Sequence, residues 1–440
     1  VNKISNEKVF ILTLITLFSF VKLLLFPEKG NVFVDKSLID LDYTMTIYFV
    51  FLLFCINIFF LVFVNFISKQ KLFLSNLIIL LNIFIILNIY LFGNINIFKL
   101  YILINFLVAF LVFFFIIFLK SNILFSCMYL ITNTIILLIY SIIIILNLQF
   151  SHRLDVIFKQ PNHLGNILAF GILFLSFMIL SLKNHFIRLF IWIIVFILSL
   201  GLVATLSRGA WLGLGVGFIV GVILSFIYIK NKIEIVKLIL YLFVCIIISN
   251  IIVNPNRISE RFNMSVKNTE ISTVNRVTLW KTSIKMIKDH PYFGVGLGNF
   301  GDVLEENYKI RFLNGETFSS ALNNYLTLAA EAGIPALILY LIIIGYAIYL
   351  SIKSIFSKSN IDYNLTSENK YLQGFYNFLY INDFTLVRIG LLAGIISMLV
   401  FGLTTYTLTR VYSNLLIWSS FGYIIASDIK NDKSEKEENI

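Results

Sequence analysis

The sequence predicts an all-α polytopic membrane protein, and three observations carry that prediction. Apolar residues make up 59% of the 440 and charged residues only 13%, a balance that leaves a soluble domain of this size without a charged surface. The apolar residues fall in runs of about 20, the length at which a helix crosses a hydrocarbon core of roughly 30 Å. Basic residues recur in every second gap between those runs, the pattern that orients a multi-pass protein.

The length criterion gives about twelve spans: residues 9–26, 43–67, 74–92, 100–119, 123–146, 164–182, 189–206, 210–229, 235–253, 324–350, 385–408 and 411–427. The first is read as a helix and not a signal peptide, because no small-residue cleavage site precedes the acidic stretch after it. Lys3 and Lys8 precede it, and Lys69, Lys71, Lys120, Lys183, Arg188, Lys230, Lys232, Lys237, Lys353, Lys358, Lys370 and Lys430 fall in alternate loops. With these inside, both termini are cytoplasmic and the long polar stretch 254–320 faces out. The expected organisation is therefore nine helices over residues 1–253, a large extracytoplasmic loop over 254–323, three helices over 324–427, and a charged, disordered tail over 428–440. No period of 20–50 residues repeats.

The net charge of +11 is absorbed by this inside bias, so the bilayer and not nucleic acid is the expected partner. Cys55, Cys127 and Cys245 stand far apart in apolar runs and match neither a metal spacing nor a disulfide framework.

Polar chemistry in such a protein must gather where lipid does not reach. Arg208, in TLSRGAWLGLGVG, stands at the outer end of a span, where Ser207–Gly209 opens the next helix. A guanidinium beside a helix N-terminus suits phosphate; a snorkelling anchor is the competing account. Gly209, Gly213, Gly215 and Gly217 are read as allowing close backbone approach.

In the large loop, Asn275 is expected to cap a helix running to about Lys288, which puts Arg276 at its start. Trp280, Ile284 and Ile287 would form its apolar face and Lys281, Lys285 and Lys288 a basic one, so the helix could lie among lipid headgroups. Gly294, Gly296 and Gly298 do not fit a nucleotide loop, since no strand–helix unit surrounds them, and read as a flexible turn. Asn162 and His163 face the same side and could bind sugar hydroxyls or phosphate, with helix capping by Asn162 as the alternative. His163 and His290 are too isolated for a metal site. Asp40 and Asp42 form an acid–x–acid pair of little specificity.

Four segments, QPNHLGNILAF, TLSRGAWLGLGVG, NRVTLWKTSIKMIKDHPYFGVGLGNF and NNYLTLAAEAGIPALILYL, together resemble the O-antigen polymerase/ligase superfamily of membrane glycan transferases. The resemblance covers roughly the second half of the chain and rests on the combination of segments. It implies a membrane-type glycosyltransferase fold and transfer of an undecaprenyl-pyrophosphate-linked glycan, without metal or nucleotide sugar, to an acceptor hydroxyl outside the cytoplasmic membrane. The donor, the acceptor glycan and polysaccharide assembly proteins are the implied partners. Arg208 and Arg276 align with the family's two arginines and suit a leaving pyrophosphate.

Where the family carries His-Asn at the loop exit, this chain has Asn323-Asn324. An amide orients a hydroxyl but does not take its proton, so the proton passes late to solvent or pyrophosphate, or another group such as Glu316 or His290 takes it. Asn323 is therefore expected in the acceptor site with Asn324 and Tyr325, with Trp280, His290 and Glu316 as further substrate contacts; an N-cap role is the alternative for Asn323. A polymerase is the first reading, a ligase or oligosaccharyltransferase the second. A flippase or ion-coupled transporter is disfavoured because the spans read as nearly free of charge.

Overall fold

A computed structural model describes residues 69–92, 123–147, 154, 160–253, 271–310, 312, 317–357 and 384–425. The expected spans 9–26, 43–67 and 100–119, the tail, and Asp40, Asp42 and Glu316 lie outside the described residues. Among those described, all regular structure is helical: α1 (Lys69–Leu91), α2 (Ile123–Asn147), α3 (Pro161–Ile179), α4 (His185–Thr205), α5 (Arg208–Tyr228), α6 (Lys232–Val253), α7 (Ile271–Asp289), α8 (Phe300–Glu306), α9 (Asn324–Phe356), α10 (Phe384–Phe401) and α11 (Val411–Ile425). Eight of these, all but α7, α8 and α11, are long and apolar enough to cross a membrane.

The centre of the bundle is α3, buried along almost its whole length against α4, α5 and α10. Small residues set the spacing. A Cβ on Gly213 or Gly217 would lie 2.5 Å from the Ser397 carbonyl oxygen or 2.4 Å from that of Ala393, and one on Gly221 would meet the Phe177 ring. Glycine at every fourth position thus lets α5 lie directly on the backbone of α10. Gly215 does not belong to this stripe: it faces open space, because two residues along a helix rotate it about 200° away. On the periphery, α6 exposes Ile233, Val236, Leu240, Phe243, Ile247 and Ile251, an apolar face suited to lipid.

Two expected spans are reshaped. The stretch expected to continue helically to residue 408 stops at Phe401, and residues 402–410 turn back as a polar loop before α11. The stretch beginning at Asn324 is not one straight helix. Gly333 has φ 88° and ψ 169°, and Pro335 follows, a backbone state accessible only to glycine. Residues 324–332 form a short arm, and residues 334–356 form a separate helix long enough to span a bilayer.

The described residues 271–310 and 317–330 include a small packed unit. Leu279 and Met286 of α7 meet Val295, Phe300 and Leu304, together with Ala321 and Ala330. The inner face of α7 is therefore Leu279, Ser283 and Met286; Ile284 is 46% exposed. Of the expected Trp280–Ile284–Ile287 face, Trp280 and Ile287 pack at the edge of this cluster and only Ile284 turns away; Trp280 Nε1 donates to the Ala321 carbonyl (3.1 Å). The helix also starts before Asn275, which is buried one turn inside it and does not cap it. Tyr308 of this unit donates to Asp289 at 2.5 Å; burial and then that carboxylate push its hydroxyl up to about 12, so the bond persists across ordinary pH.

Candidate active site

The α4–α5 turn positions Arg208. Leu206 takes a left-handed conformation (φ 51°), and the Ser207 N–H donates to Thr205 Oγ1 (3.3 Å). Arg208 then stands as the first residue of α5, at the end of the helix where its dipole is positive. Gly209 is required here, since a Cβ would lie 2.1 Å from Thr404 Oγ1. The 402–410 loop therefore rests on the beginning of α5.

Arg276, from the second turn of α7, reaches the same place. Arg208 and Arg276 line one cavity of about 40 Å³ with Asn162, Ser207, Ser272, Thr404 and Thr405. The Ser207 hydroxyl is buried there without a hydrogen-bond partner. Two guanidinium groups, hydroxyls, an amide and a helix N-terminus make a site for an anion.

The other expected site residues lie elsewhere. His163, beside Asn162, is buried behind the cavity with its ring edge-on to Tyr412 (centroids 6.0 Å apart). His290 is exposed after α7 and does not line the cavity. Asn323 caps the arm: its oxygen accepts from Tyr325 N (2.9 Å) and Leu326 N (3.0 Å), and its Nδ2 donates to the Leu403 carbonyl (2.9 Å). The Asn324 oxygen accepts from Thr407 N (2.6 Å) and Leu408 N (3.3 Å), while its Nδ2 donates to Thr407 Oγ1 (2.9 Å). Tyr325 donates to the Leu399 carbonyl (2.9 Å). Asn323 and Asn324 hold the 402–410 loop, which supplies Thr404 and Thr405 to the cavity, while Tyr325 ties the arm to α10.

The glycine-rich turn is fixed, not flexible. Pro335 has no N–H and Ile334 N donates to Pro291 O (2.8 Å), so the carbonyls of Ala330 and Glu331 lose their helical partners. Val295 N (2.8 Å) and Gly296 N (2.9 Å) take them up. Asn88 of α1 grips the other side, donating to Phe293 O (2.7 Å) and accepting from Leu297 N (2.8 Å).

Ser272, Thr404 and Thr405 are cavity residues that sequence reasoning missed, although the threonine-rich run after Gly402 marks the end of an apolar helix. Two charges inside expected spans were missed as well: Glu331, 1% exposed, and Arg388, 4% exposed. Each lies near a helix end and not at mid-span. Glu331 sits beside the Gly333 reversal, accepting from Phe300 N (3.4 Å), and Arg388 donates to the Ser354 carbonyl (2.9 Å). Burial, followed by the charge of Glu331, holds the Tyr406 hydroxyl well above its ordinary value, with Arg410 acting in the opposite sense. Among the described residues no three His, Cys, Asp or Glu side chains cluster as a metal site would.

Fold and cavity together fit a multi-pass membrane protein with a small, polar, arginine-lined cavity at one end of its helices. Residues 193–341 match the family described as O-antigen ligase. That match, running from α4 through the start of the second helix of α9, supports the resemblance to the O-antigen polymerase/ligase superfamily and, at family level, a part in glycan transfer. No curated protein matches the chain.

Proposed function

We propose that the chain transfers a glycan from a polyprenyl pyrophosphate to an acceptor hydroxyl on the extracytoplasmic side of the membrane, and that the cavity between Arg208 and Arg276 holds the pyrophosphate. The observation that carries this reading is that two arginines from separate elements line one small polar cavity at a helix N-terminus. In the reaction the acceptor oxygen forms a bond to the anomeric carbon while the bond from that carbon to the pyrophosphate oxygen breaks. The electron pair of the breaking bond goes to the pyrophosphate, where the two guanidinium groups stabilise the growing charge. The acceptor proton leaves to solvent or to the pyrophosphate, since Asn323 cannot take it.

The role of Asn323 in this scheme is to set the arm and, through Leu403, the loop bearing Thr404 and Thr405. Chain growth on a lipid-linked repeat unit is the reaction we assign first. Transfer to a lipid core, wall polymer or protein is the second reading. The test is reconstitution of the full chain with lipid-linked donor and acceptor. Arg208→Ala and Arg276→Ala should each abolish product and release of polyprenyl pyrophosphate while the protein remains folded in the membrane. Parental turnover in either variant would overturn the assignment. Products extended by repeat units identify a polymerase, and a single transfer identifies a ligase.

A further inference from the structure

The outward face of α7 combines charge and apolar surface. At about 100° per residue, positions 274, 277, 281, 284, 285 and 288 fall in one sector, roughly opposite the buried Leu279, Ser283 and Met286. That sector carries Lys281, Lys285 and Lys288, all exposed, between Val274, Val277 and Ile284, which are 44–48% exposed. Residues 271–288 contain no acid, and the one at the helix end, Asp289, is engaged by Tyr308.

The end of α7 is tied to a membrane boundary. Ile334 N bonds Pro291 O (2.8 Å), so the chain leaving α7 meets the second helix of α9 at its first residue. From there residues 334–356 rise roughly 34 Å, close to the roughly 30 Å of a hydrocarbon core. At the junction Tyr292 is 72% exposed, in keeping with an aromatic at the headgroup level. Below it, the exposed Ile338, Leu341 and Ile342 continue an apolar surface into the bilayer.

We infer that the Lys281–Lys285–Lys288 face of α7 docks on the anionic phospholipid headgroups of the leaflet on the cavity side, with Val277 and Ile284 dipping beneath them. Apolar side chains alone would favour any bilayer, whereas three lysines on the same face select a negative one. Each cation at such a surface strengthens binding roughly fivefold. Because α7 also carries Arg276, this docking holds the arginine level with the headgroups from which a lipid-linked ligand would enter.

The test uses the full chain with Cys55→Ser, Cys127→Ser, Cys245→Ser and Ile284→Cys, the new thiol carrying a nitroxide, in nanodiscs of phosphatidylcholine with and without phosphatidylglycerol. Accessibility to oxygen should exceed accessibility to a water-soluble nickel chelate, and the ratio should rise several-fold with phosphatidylglycerol. The triple variant Lys281→Gln, Lys285→Gln, Lys288→Gln should lose that dependence with an unchanged melting temperature. A label open to nickel in both lipids would overturn the inference, as would one shielded from both reagents by protein. Protection that appears only on adding a soluble anionic glycan would assign the face to glycan instead. The measurement reads no transfer, so its failure leaves the assignment of the arginine cavity untouched.

Discussion

Tyr325 and Tyr340 have ring centroids 6.5 Å apart, although a straight helix would separate residues at these positions by roughly 22 Å. The arm 324–332 therefore folds back along the helix 334–356, and Gly333 is the point of reversal. This brings Asn323 and Asn324 beside the 402–410 loop and, through it, to the rim of the arginine cavity.

Gly333→Ala should be strongly destabilising. Its backbone state alone costs a non-glycine residue about 1–3 kcal/mol, and the added Cβ would lie 2.2 Å from the Tyr292 carbonyl oxygen. Thermal unfolding of the solubilised protein should show a lower midpoint. An unchanged one would contradict the reversal.

Asn88→Leu should loosen the glycine turn. It leaves the Phe293 carbonyl and the Leu297 N–H without the partners that Asn88 supplies, at roughly 1–3 kcal/mol per buried group. Amide exchange over residues 291–298 should quicken while exchange in α3 stays slow. Equal change in both would mean global unfolding.

Arg208→Lys and Arg276→Lys should each retain part of the transfer activity that the alanine variants lose. Lysine keeps the charge and gives up the planar fork that pairs with phosphate oxygens. Turnover at the parental rate in both would argue that only net charge matters.

Asn323→Ala should lower stability by about 1 kcal/mol through loss of the cap and leave most turnover intact. Asn323→Asp, which preserves the capping oxygen, should restore stability. Activity lost in the alanine variant at an unchanged melting temperature would return Asn323 to the reaction itself. Asn324→Ala should be the more harmful, because Asn324 holds Thr407 and Leu408 together.

Transfer by the reconstituted protein should survive chelator, with the two arginines serving as the cations at the pyrophosphate. Loss of activity reversed by magnesium or manganese would bring Asp40 and Asp42 into the site.

What the sequence determined by itself was whatever depends on local composition. Apolar runs of membrane length made α1 to α6 and α10 legible, since burial in lipid is decided by the run and not by its neighbours. Arg208 was legible as a cation at the end of an apolar helix, and Arg276 through the resemblance of its loop segment. The tertiary structure decided what depends on distant partners. It drew Thr404 and Thr405 to the cavity, because Asn324 ties a loop some eighty positions away. It moved the buried face of α7 to Leu279 and Met286, because that helix packs on protein. It also turned Asn323 and the glycine run into supports, because Pro335 and Gly333 break a helix whose freed carbonyls another segment must satisfy. Hydropathy reports transfer into a solvent, whereas these pairings are satisfied one hydrogen bond at a time between residues far apart in the chain.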